Sequence, residues 1–206
     1  MQLRGVFIAF EGIDGAGLTT QALLLEKYLR EKGYRVVLTK EPTDGLLGGI
    51  IKAALRGEWK TDPATLQLLF AADRSHHVRH CILPALSEGK IVVCDRYVLS
   101  SLAYGSVDLD YEWLLEINKV FPVPDITFIL DLEPKIALER IRASRFSYEL
   151  FENSFKLNAV RENYLRLANK YDNSVIIDAS KSIEEVHSTV CRYVEKILAE
   201  KKLIQS

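Results

Sequence analysis

Residues Glu11 to Thr20, near the start of the sequence, have the composition of a loop that binds phosphate groups. They follow a short apolar run and carry glycines at positions 12 and 17 and a hydroxyl at Thr19, a spacing typical of phosphate-binding loops between a strand and a helix. The glycines let the backbone wrap an anion, so that successive N–H groups and the start of the next helix point at phosphate oxygens. The predicted phosphate-binding residues are Gly12, Ile13, Asp14, Gly15, Ala16, Gly17, Leu18, Thr19 and Thr20.

Leu18 stands where this type of loop normally has a lysine. A leucine cannot supply the ammonium group that reaches the β- and γ-phosphates, and losing one preorganised charge of this kind lowers a rate on the order of 10²–10³-fold. The backbone part of the site survives the substitution. Taken alone, the loop therefore leaves two interpretations open, a phosphate site and a glycine-rich turn with no ligand.

An acidic and a basic residue follow a second apolar run. Ile91–Cys94 has the composition of a buried strand, and Asp95 and Arg96 come directly after it. Open α/β sheets bind their ligands at this end of their strands, where a carboxylate can hold the water shell of Mg²⁺ opposite Thr19. The alternative for the pair is a salt bridge at the end of the strand. With the loop taken into account, we predict Thr19 and Asp95 as the metal-binding residues and Asp95 and Arg96 as catalytic residues.

Five short apolar runs alternate with longer helical patterns along the chain, which is typical of strands buried on both faces by helices. The predicted strands are 5–10, 35–39, 91–94, 126–130 and 174–178, and the predicted helices are 19–32, 64–88, 111–120, 134–143, 153–171 and 182–203. Gly33 is expected to end the first helix, and Asp110 to cap the third. The pattern predicts an α/β fold with three layers, a five-stranded parallel sheet with flanking helices, in one domain over residues 1–206.

The composition is that of a folded protein. Hydrophobic residues make up 48% of the 206 residues and charged residues 27%, which argues against disorder. A net charge of −1 provides no overall basic field to hold a nucleic acid polymer or an anionic membrane. The three cysteines form no C-x-x-C pair, and no apolar run is long enough to span a membrane, so we expect a soluble protein of the reducing cytoplasm.

Several further motifs occur in a fixed order along the chain. They are Phe10–Gly15 (FEGIDG), Glu41–Thr43 (EPT), Leu69–Arg74 (LFAADR), Asp95–Tyr97 (DRY), Ser100–Tyr104 (SSLAY), Pro124–Asp125 (PD), Leu130–Leu132 (LDL) and Ile177–Ala179 (IDA). Through them the sequence resembles the thymidylate kinases, of the nucleoside monophosphate kinase group within the P-loop fold, from about Val6 to Val194. The resemblance implies phosphoryl transfer from ATP to dTMP with Mg²⁺, giving dTDP and ADP, in a homodimer.

The resemblance also implies roles for individual residues. Phe70 would stack on thymine, and Arg74, one helical turn along, would donate to a base carbonyl and reject an amino group there. Arg96 would hold the phosphate of dTMP, Asp14 would reach the 3′-hydroxyl group, and Tyr104 would pack where a ribose 2′-hydroxyl would lie. The predicted substrate-binding residues are Asp14, Glu41, Phe70, Arg74, Arg96, Ser100 and Tyr104.

Besides Leu18, the chain departs from the family pattern at two further positions. Lys40 precedes Glu41 where arginine is usual, which keeps the charge but loses bidentate hydrogen bonding. Gly105 follows Tyr104 where glutamine is usual.

The family also has a lid, predicted here at about residues 140–152. Arg142 and Arg145 are its candidate catalytic arginines, and a solvated helix end is the alternative for both. The adenine of ATP would lie near Ile177–Ala179.

Other interpretations remain open. His76, His77 and His80 could seed a metal site, although the absence of carboxylate or cysteine partners at a suitable spacing favours a polar helix face. Leu18 motivates the hypothesis of a nucleotide-binding protein with weak or no kinase activity. Gly105 motivates that of a kinase for another deoxynucleoside monophosphate.

Overall fold

The computed structural model describes residues 5–143 and 154–201 and has a parallel β-sheet at its centre. The strands are β1 (Val6–Gly12), β2 (Val36–Lys40), β3 (Ile91–Asp95), β4 (Ile126–Asp131) and β5 (Ser174–Asp178). Their order across the sheet is β2-β3-β1-β4-β5, and every pairing is parallel. The predicted α/β fold with five parallel strands is confirmed, and β1 extends to Gly12, beyond its predicted end.

Helices flank the sheet. They are α1 (Leu18–Glu31), α2 (Leu46–Leu55), α3 (Pro63–His77), α4 (Leu83–Ser87), α5 (Val98–Gly105), α6 (Tyr111–Asn118), α7 (Pro134–Ala143), α8 (Ser154–Ala168) and α9 (Ile183–Glu200). A π-helical turn, Val78–Ile82, joins α3 to α4, so the predicted helix 64–88 is one helical stretch with a local change of pitch. The sequence pattern does not predict α2, whose Gly48 and Gly49 lower helix propensity, or the short α5.

The helix ends carry the expected signals. The side chain of Asp110 accepts a hydrogen bond from the N–H of Trp113 at 2.8 Å, which caps α6 as predicted. Gly33 follows α1 with a φ of 83°, a conformation that favours glycine. At the start of α9, Ser182 and Glu185 form a reciprocal capping box.

Residues Val6–Phe10 of β1 are apolar without alternation because both faces of the strand are covered. Val6, Ile8 and Phe10 belong to the larger of two buried apolar clusters, and Phe7 and Ala9 belong to the other. The helices on the two sides of the sheet complete these clusters, which produces the three layers.

The register of the sheet brings two distant segments to the same edge. Phe10 of β1 pairs with Asp95 of β3, and the N–H of Arg96 donates to the carbonyl of Phe10 at 2.9 Å. The chain passes from β1 to β2 and β3 on one side and continues to β4 and β5 on the other. Ligands of open α/β sheets bind at such a switch in strand order, beyond the carboxyl ends of the strands.

Within residues 5–143 and 154–201, no helix is long and apolar enough to cross a membrane. Cys81, Cys94 and Cys191 are free thiols. Cys94 lies in the core of β3, where burial raises its pKa well above the ordinary value, as expected of an unreactive core thiol.

Gly105, at the end of α5, has no space for a side chain. A Cβ atom there would lie 2.8 and 2.9 Å from the two methyl groups of Leu114, which is fully buried in α6. We therefore expect Gly105→Ala to lower the free energy of unfolding by about 1–3 kcal/mol through overpacking, measured by chemical denaturation.

Gly49→Ala is the matched control for this substitution. Gly49 is exposed in α2 and has nothing within 4 Å of its Cβ position, so we expect it to stabilise the protein by about 0.5–1 kcal/mol through helix propensity. Equal effects of the two substitutions would contradict the packing described for Gly105.

Candidate active site

The loop between β1 and α1 curls because three of its glycines adopt backbone conformations with positive φ. Gly12, Gly15 and Gly17 have φ values of 151°, 81° and 95°. Gly17 occupies the N-cap position of α1, and no side chain caps that helix start. The first N–H groups of α1 therefore have no partner within the helix and are available to an anion in the cleft.

The two predicted metal-binding residues meet at the mouth of this loop. The hydroxyl of Thr19 donates to Oδ2 of Asp95 at 2.5 Å. Hydroxyl and carboxylate oxygens are the ligand types that Mg²⁺ prefers, and two oxygens this close can face one cation. Among the described residues, no group of three or more His, Cys, Asp and Glu could hold a metal. The hydroxyl of Thr19 and the carboxylate of Asp95 fit Mg²⁺ that is bound mainly through substrate phosphates and water, which is how proteins commonly hold this ion.

Leu18 lies at the start of α1, beneath the loop. Its side chain is 5% exposed and belongs to the larger apolar cluster. It also lines the cleft, with Cδ2 3.4 Å from the position that a Cβ on Gly12 would take. A longer side chain could follow the same path and reach the cleft with its end group.

Arg96 is held by three hydrogen bonds at the end of β3. It donates to Oδ1 of Asp14 at 2.6 Å, to the carbonyl of Gly12 at 2.9 Å and to Oγ of Ser100 at 3.2 Å. The hydroxyl of Tyr104 donates to the other oxygen of Asp14 at 3.0 Å. With a φ of 69°, Arg96 has a backbone conformation that residues with side chains rarely adopt, and such strain is typical of functional sites.

Glu11 is a functional residue that the sequence reasoning missed. Its side chain is fully buried and accepts hydrogen bonds from the N–H groups of Tyr97 and Ser100, at 2.9 and 3.1 Å, and from the hydroxyls of Ser100 and Tyr164. The N-cap position of α5 has no capping side chain of its own, so Glu11 caps that helix from β1. Burial raises the pKa of Glu11, against the opposing effects of these hydrogen bonds and of Arg96. The sequence does carry a signal for Glu11, because this acidic residue interrupts an otherwise apolar strand.

Arg74 is 1% exposed and anchored from several sides. Its Nε donates to Glu41 at 2.8 Å, Nη1 donates to Asn118, and Nη2 donates to the carbonyl of Tyr97 at 3.0 Å and to Ser101 at 3.1 Å. These bonds use four of the five N–H groups of a guanidinium. One Nη1–H remains for a ligand.

The loop and these side chains line one cleft of about 1280 Å³. Residues of the loop line it together with Phe70, Arg74 and Tyr104. Pockets for a single small molecule usually measure about 300–1000 Å³, so the cleft has room for two ligands side by side.

Comparison with known proteins identifies the family. The family model described as thymidylate kinase matches residues 10–190. The chain belongs to the thymidylate kinase family.

Three relatives illustrate the similarity, which extends over nearly the whole chain. A "Probable thymidylate kinase" of Pyrococcus horikoshii is 46% identical over 200 residues, covering 94% of this chain and 97% of the relative. One of Thermococcus kodakarensis is 45% identical over 205 residues, with coverage of 95% and 100%. A "Thymidylate kinase" of Caldicellulosiruptor saccharolyticus is 38% identical over 203 residues, with coverage of 95% and 98%.

The structure brings most of the predicted thymidylate kinase site together. Of the predicted residues, those that line the cleft are Ile13, Asp14, Gly15, Ala16, Gly17, Leu18, Thr19, Thr20, Glu41, Phe70, Arg74, Asp95, Arg96, Ser100 and Tyr104. Gly12 contributes its carbonyl to Arg96. Ala179, from the segment predicted to lie near adenine, also lines the cleft. The roles of these residues stay predictions.

Glu41 lines the cleft, but both of its carboxylate oxygens bond to side chains of the protein, and its predicted role in binding substrate stays a prediction. Its side chain is 2% exposed, and its two oxygens bond to Arg74 and to Nδ1 of His77, at 2.8 and 2.9 Å. Glu41 therefore acts on the cleft through Arg74, which it holds in position.

The predicted lid lies largely outside the described residues. This applies to Arg145 and to residues 144–152 as a whole, whereas Arg142 is exposed near the end of α7. Arg140, two residues earlier, lines the cleft and donates to the carbonyl of Ala179 at 3.1 Å. Sequence reasoning did not select Arg140 as a cleft residue.

The prediction that His76, His77 and His80 lie on a polar helix face is wrong for His77. His76 and His80 are exposed and their rings stack with centroids 4.4 Å apart, but His77 is buried because it turns toward Glu41 and Thr39. Burial alone would lower the pKa of His77, but hydrogen bonds with Cys81 and Glu41 and the charge of Glu41 outweigh it and raise the pKa to about 9.

A raised pKa in the folded state makes stability depend on pH. The contribution of protonated His77 is fully present below the ordinary pKa of 6.5 and is lost as the pH rises through about 9. We expect the free energy of unfolding to fall by about 2–3 kcal/mol between pH 6.5 and 9.5 through this group. Denaturation curves across this range should show a clearly flatter pH dependence in a His77→Gln variant.

His76→Gln is the control, because His76 is exposed on the same helix. Its pH dependence should match that of the parent protein. A His77→Gln variant with the slope of the parent would refute the buried ion pair with Glu41.

Proposed function

We propose that the protein transfers a phosphoryl group from ATP to dTMP, giving ADP and dTDP. The observation that carries the proposal is that a single cleft is lined by a glycine loop with an uncapped helix start, by the aromatic ring of Phe70 and by two arginines, Arg74 and Arg96. Membership of the thymidylate kinase family supports the same reaction. A soluble cytoplasmic protein and a homodimer, both expected from the sequence, belong to this proposal.

At the donor end, the loop amides and the start of α1 bind the phosphates of ATP. Thr19 and Asp95 would hold Mg²⁺ there. When bound, the ion neutralises charge on the phosphate oxygens. Ala179 and the neighbouring start of α9 form the part of the cleft that receives the adenine.

At the acceptor end, Phe70 stacks on the base, and the remaining N–H of Arg74 donates to a base carbonyl. Arg96 holds the phosphate of dTMP. Nη2 of Arg96 donates to Oδ1 of Asp14 at 2.6 Å. The acceptor phosphate competes with this carboxylate for the guanidinium, and Asp14 becomes available to the 3′-hydroxyl of the deoxyribose.

The reaction needs little covalent help from the protein. An oxygen of the dTMP phosphate attacks the γ-phosphorus of ATP, and the bond to the bridging oxygen breaks to release ADP. The nucleophile is already anionic at neutral pH, so no strong general base is required. Positioning and charge neutralisation supply the catalysis.

A coupled assay of ADP release from ATP and dTMP tests the proposed function, and Leu18 makes the test quantitative. The stem of a lysine at position 18 can lie where Leu18 packs and place its ammonium in the cleft. We expect Leu18→Lys to raise kcat on the order of 10²-fold, because it restores a charge on the transferring group.

Leu18→Met is the control, since it keeps an apolar side chain of similar size without an ammonium group. It should leave kcat within a factor of about three of the parent value, because a volume-conserving apolar exchange costs less than about 1.5 kcal/mol of stability and adds no charge.

Binding of dTMP without turnover in the parent protein would favour the alternative of a nucleotide-binding homologue with weak or no kinase activity. Turnover with dUMP or dGMP that equals turnover with dTMP would favour a kinase for other deoxynucleotides.

Arg96→Lys tests the acceptor end. A lysine keeps the charge but cannot reproduce the fork that spans Asp14, Gly12 and Ser100. We expect kcat/KM for dTMP to fall about 10–100-fold while the KM for ATP changes little. Arg79→Lys, at an exposed position on the π-helical turn, should leave both parameters unchanged. Equal losses for both substrates would contradict the assignment of Arg96 to dTMP.

A further inference from the structure

Gln67 on α3 carries a buried polar atom with no hydrogen-bond partner. The residue is 6% exposed, its amide oxygen Oε1 is buried without a partner, and it lines the cleft. An unsatisfied buried acceptor lowers stability, and native proteins keep few of them. Because the residue lines the cleft, a ligand bound there could supply the missing donor.

The position of Gln67 relates it to the residues assigned to the base. Gln67, Phe70 and Arg74 are spaced three and four residues apart on α3, so they lie along one face of the helix. All three line the cleft. This face therefore offers an amide, an aromatic ring and a guanidinium to the same part of a ligand.

Gly105 provides the space in which the amide of Gln67 lies. A Cβ atom at position 105 would be 3.2 Å from Cδ of Gln67. The family usually has a glutamine at this position, and its side chain could not be accommodated here beside that of Gln67.

We propose that Gln67 recognises the pyrimidine of the acceptor, its Oε1 accepting a hydrogen bond from the N3–H of thymine. This inference rests on the proposed function. Cytosine has an unprotonated N3 and an amino group at position 4. A reversed amide could pair with cytosine, but Arg74 has only donors and opposes the amino group. Gln67 and Arg74 together therefore select a base with N3–H and a carbonyl at position 4, and exclude cytosine.

The experiment compares the parent with Gln67→Met, which keeps the length of the side chain and removes the acceptor. Calorimetric binding of dTMP without ATP should weaken about 10–100-fold, as expected when one buried hydrogen bond to a ligand is lost. The ratio of kcat/KM for dTMP over dCMP should fall by a similar factor, because dCMP never used this bond.

A second measurement separates recognition from a structural role. Because Oε1 has no partner in the protein, Gln67→Met should raise the melting temperature of the ligand-free protein by about 2–4 °C. A side chain that only supports the fold would lower it. Gln67→Leu provides a second variant without the acceptor and should show the same loss of dTMP binding.

Gln21→Met is the matched control, since Gln21 also has a buried Oε1 without a partner but bonds through Nε2 to the carbonyl of Ile183, at the start of α9. It should leave the ratio of kcat/KM for dTMP over dCMP unchanged.

Unaltered binding of dTMP by Gln67→Met, or equal losses for dTMP and dCMP, would overturn the inference while leaving the proposed function intact. Conversely, a parent protein that binds dTMP but does not phosphorylate it would refute the proposed function, and the binding data would still decide the role of Gln67.

Discussion

The parallel pairing of β1 with β3 is the constraint on which the cleft depends. Because Phe10 lies beside Asp95, the loop that follows β1 and the residues that follow β3 emerge at the same edge of the sheet. The backbone bond from Arg96 to Phe10 continues this pairing beyond the strand. A shift of one residue would turn the side chain of Asp95 to the other face and away from Thr19. The apolar packing of β1 on both faces therefore determines the geometry of the polar site.

Two buried carboxylates convert this register into fixed positions for the arginines. Glu11 caps α5 and bonds to Ser100, which in turn accepts from Arg96. Glu41 accepts a hydrogen bond from Nε of Arg74. A guanidinium held by bonds to the protein loses little conformational entropy when a ligand binds. Preorganisation thus offsets the unfavourable free energy of burying these charges.

The fold and the site differ in how far the sequence could predict them. Apolar strands, glycine turns and caps such as Asp110 act locally, so the sheet and most helices followed from the pattern. The glycines of α2 concealed a helix that tertiary packing stabilises. The phosphate loop and Arg96 could also be predicted, because the glycines of the loop and the charged residues directly after an apolar run are visible in the sequence. The partners of Arg74 could not be predicted, because Asn118 and Glu41 reach it from segments far apart in the chain.

The loop can keep the shape of a phosphate site with Leu18 in place of lysine, because its backbone and not its side chains determines that shape. In the proposed site, the helix start and the loop amides would bind phosphate through the backbone, and the glycines provide that geometry whatever side chain follows. The lysine normally adds a charge that matters most when negative charge shifts between donor and acceptor, since an ammonium group stabilises that state more than the bound ground state. Burial of Leu18 in the apolar cluster keeps the loop in shape without that charge. Under the proposed function, binding and turnover would therefore depend on different atoms of the same loop.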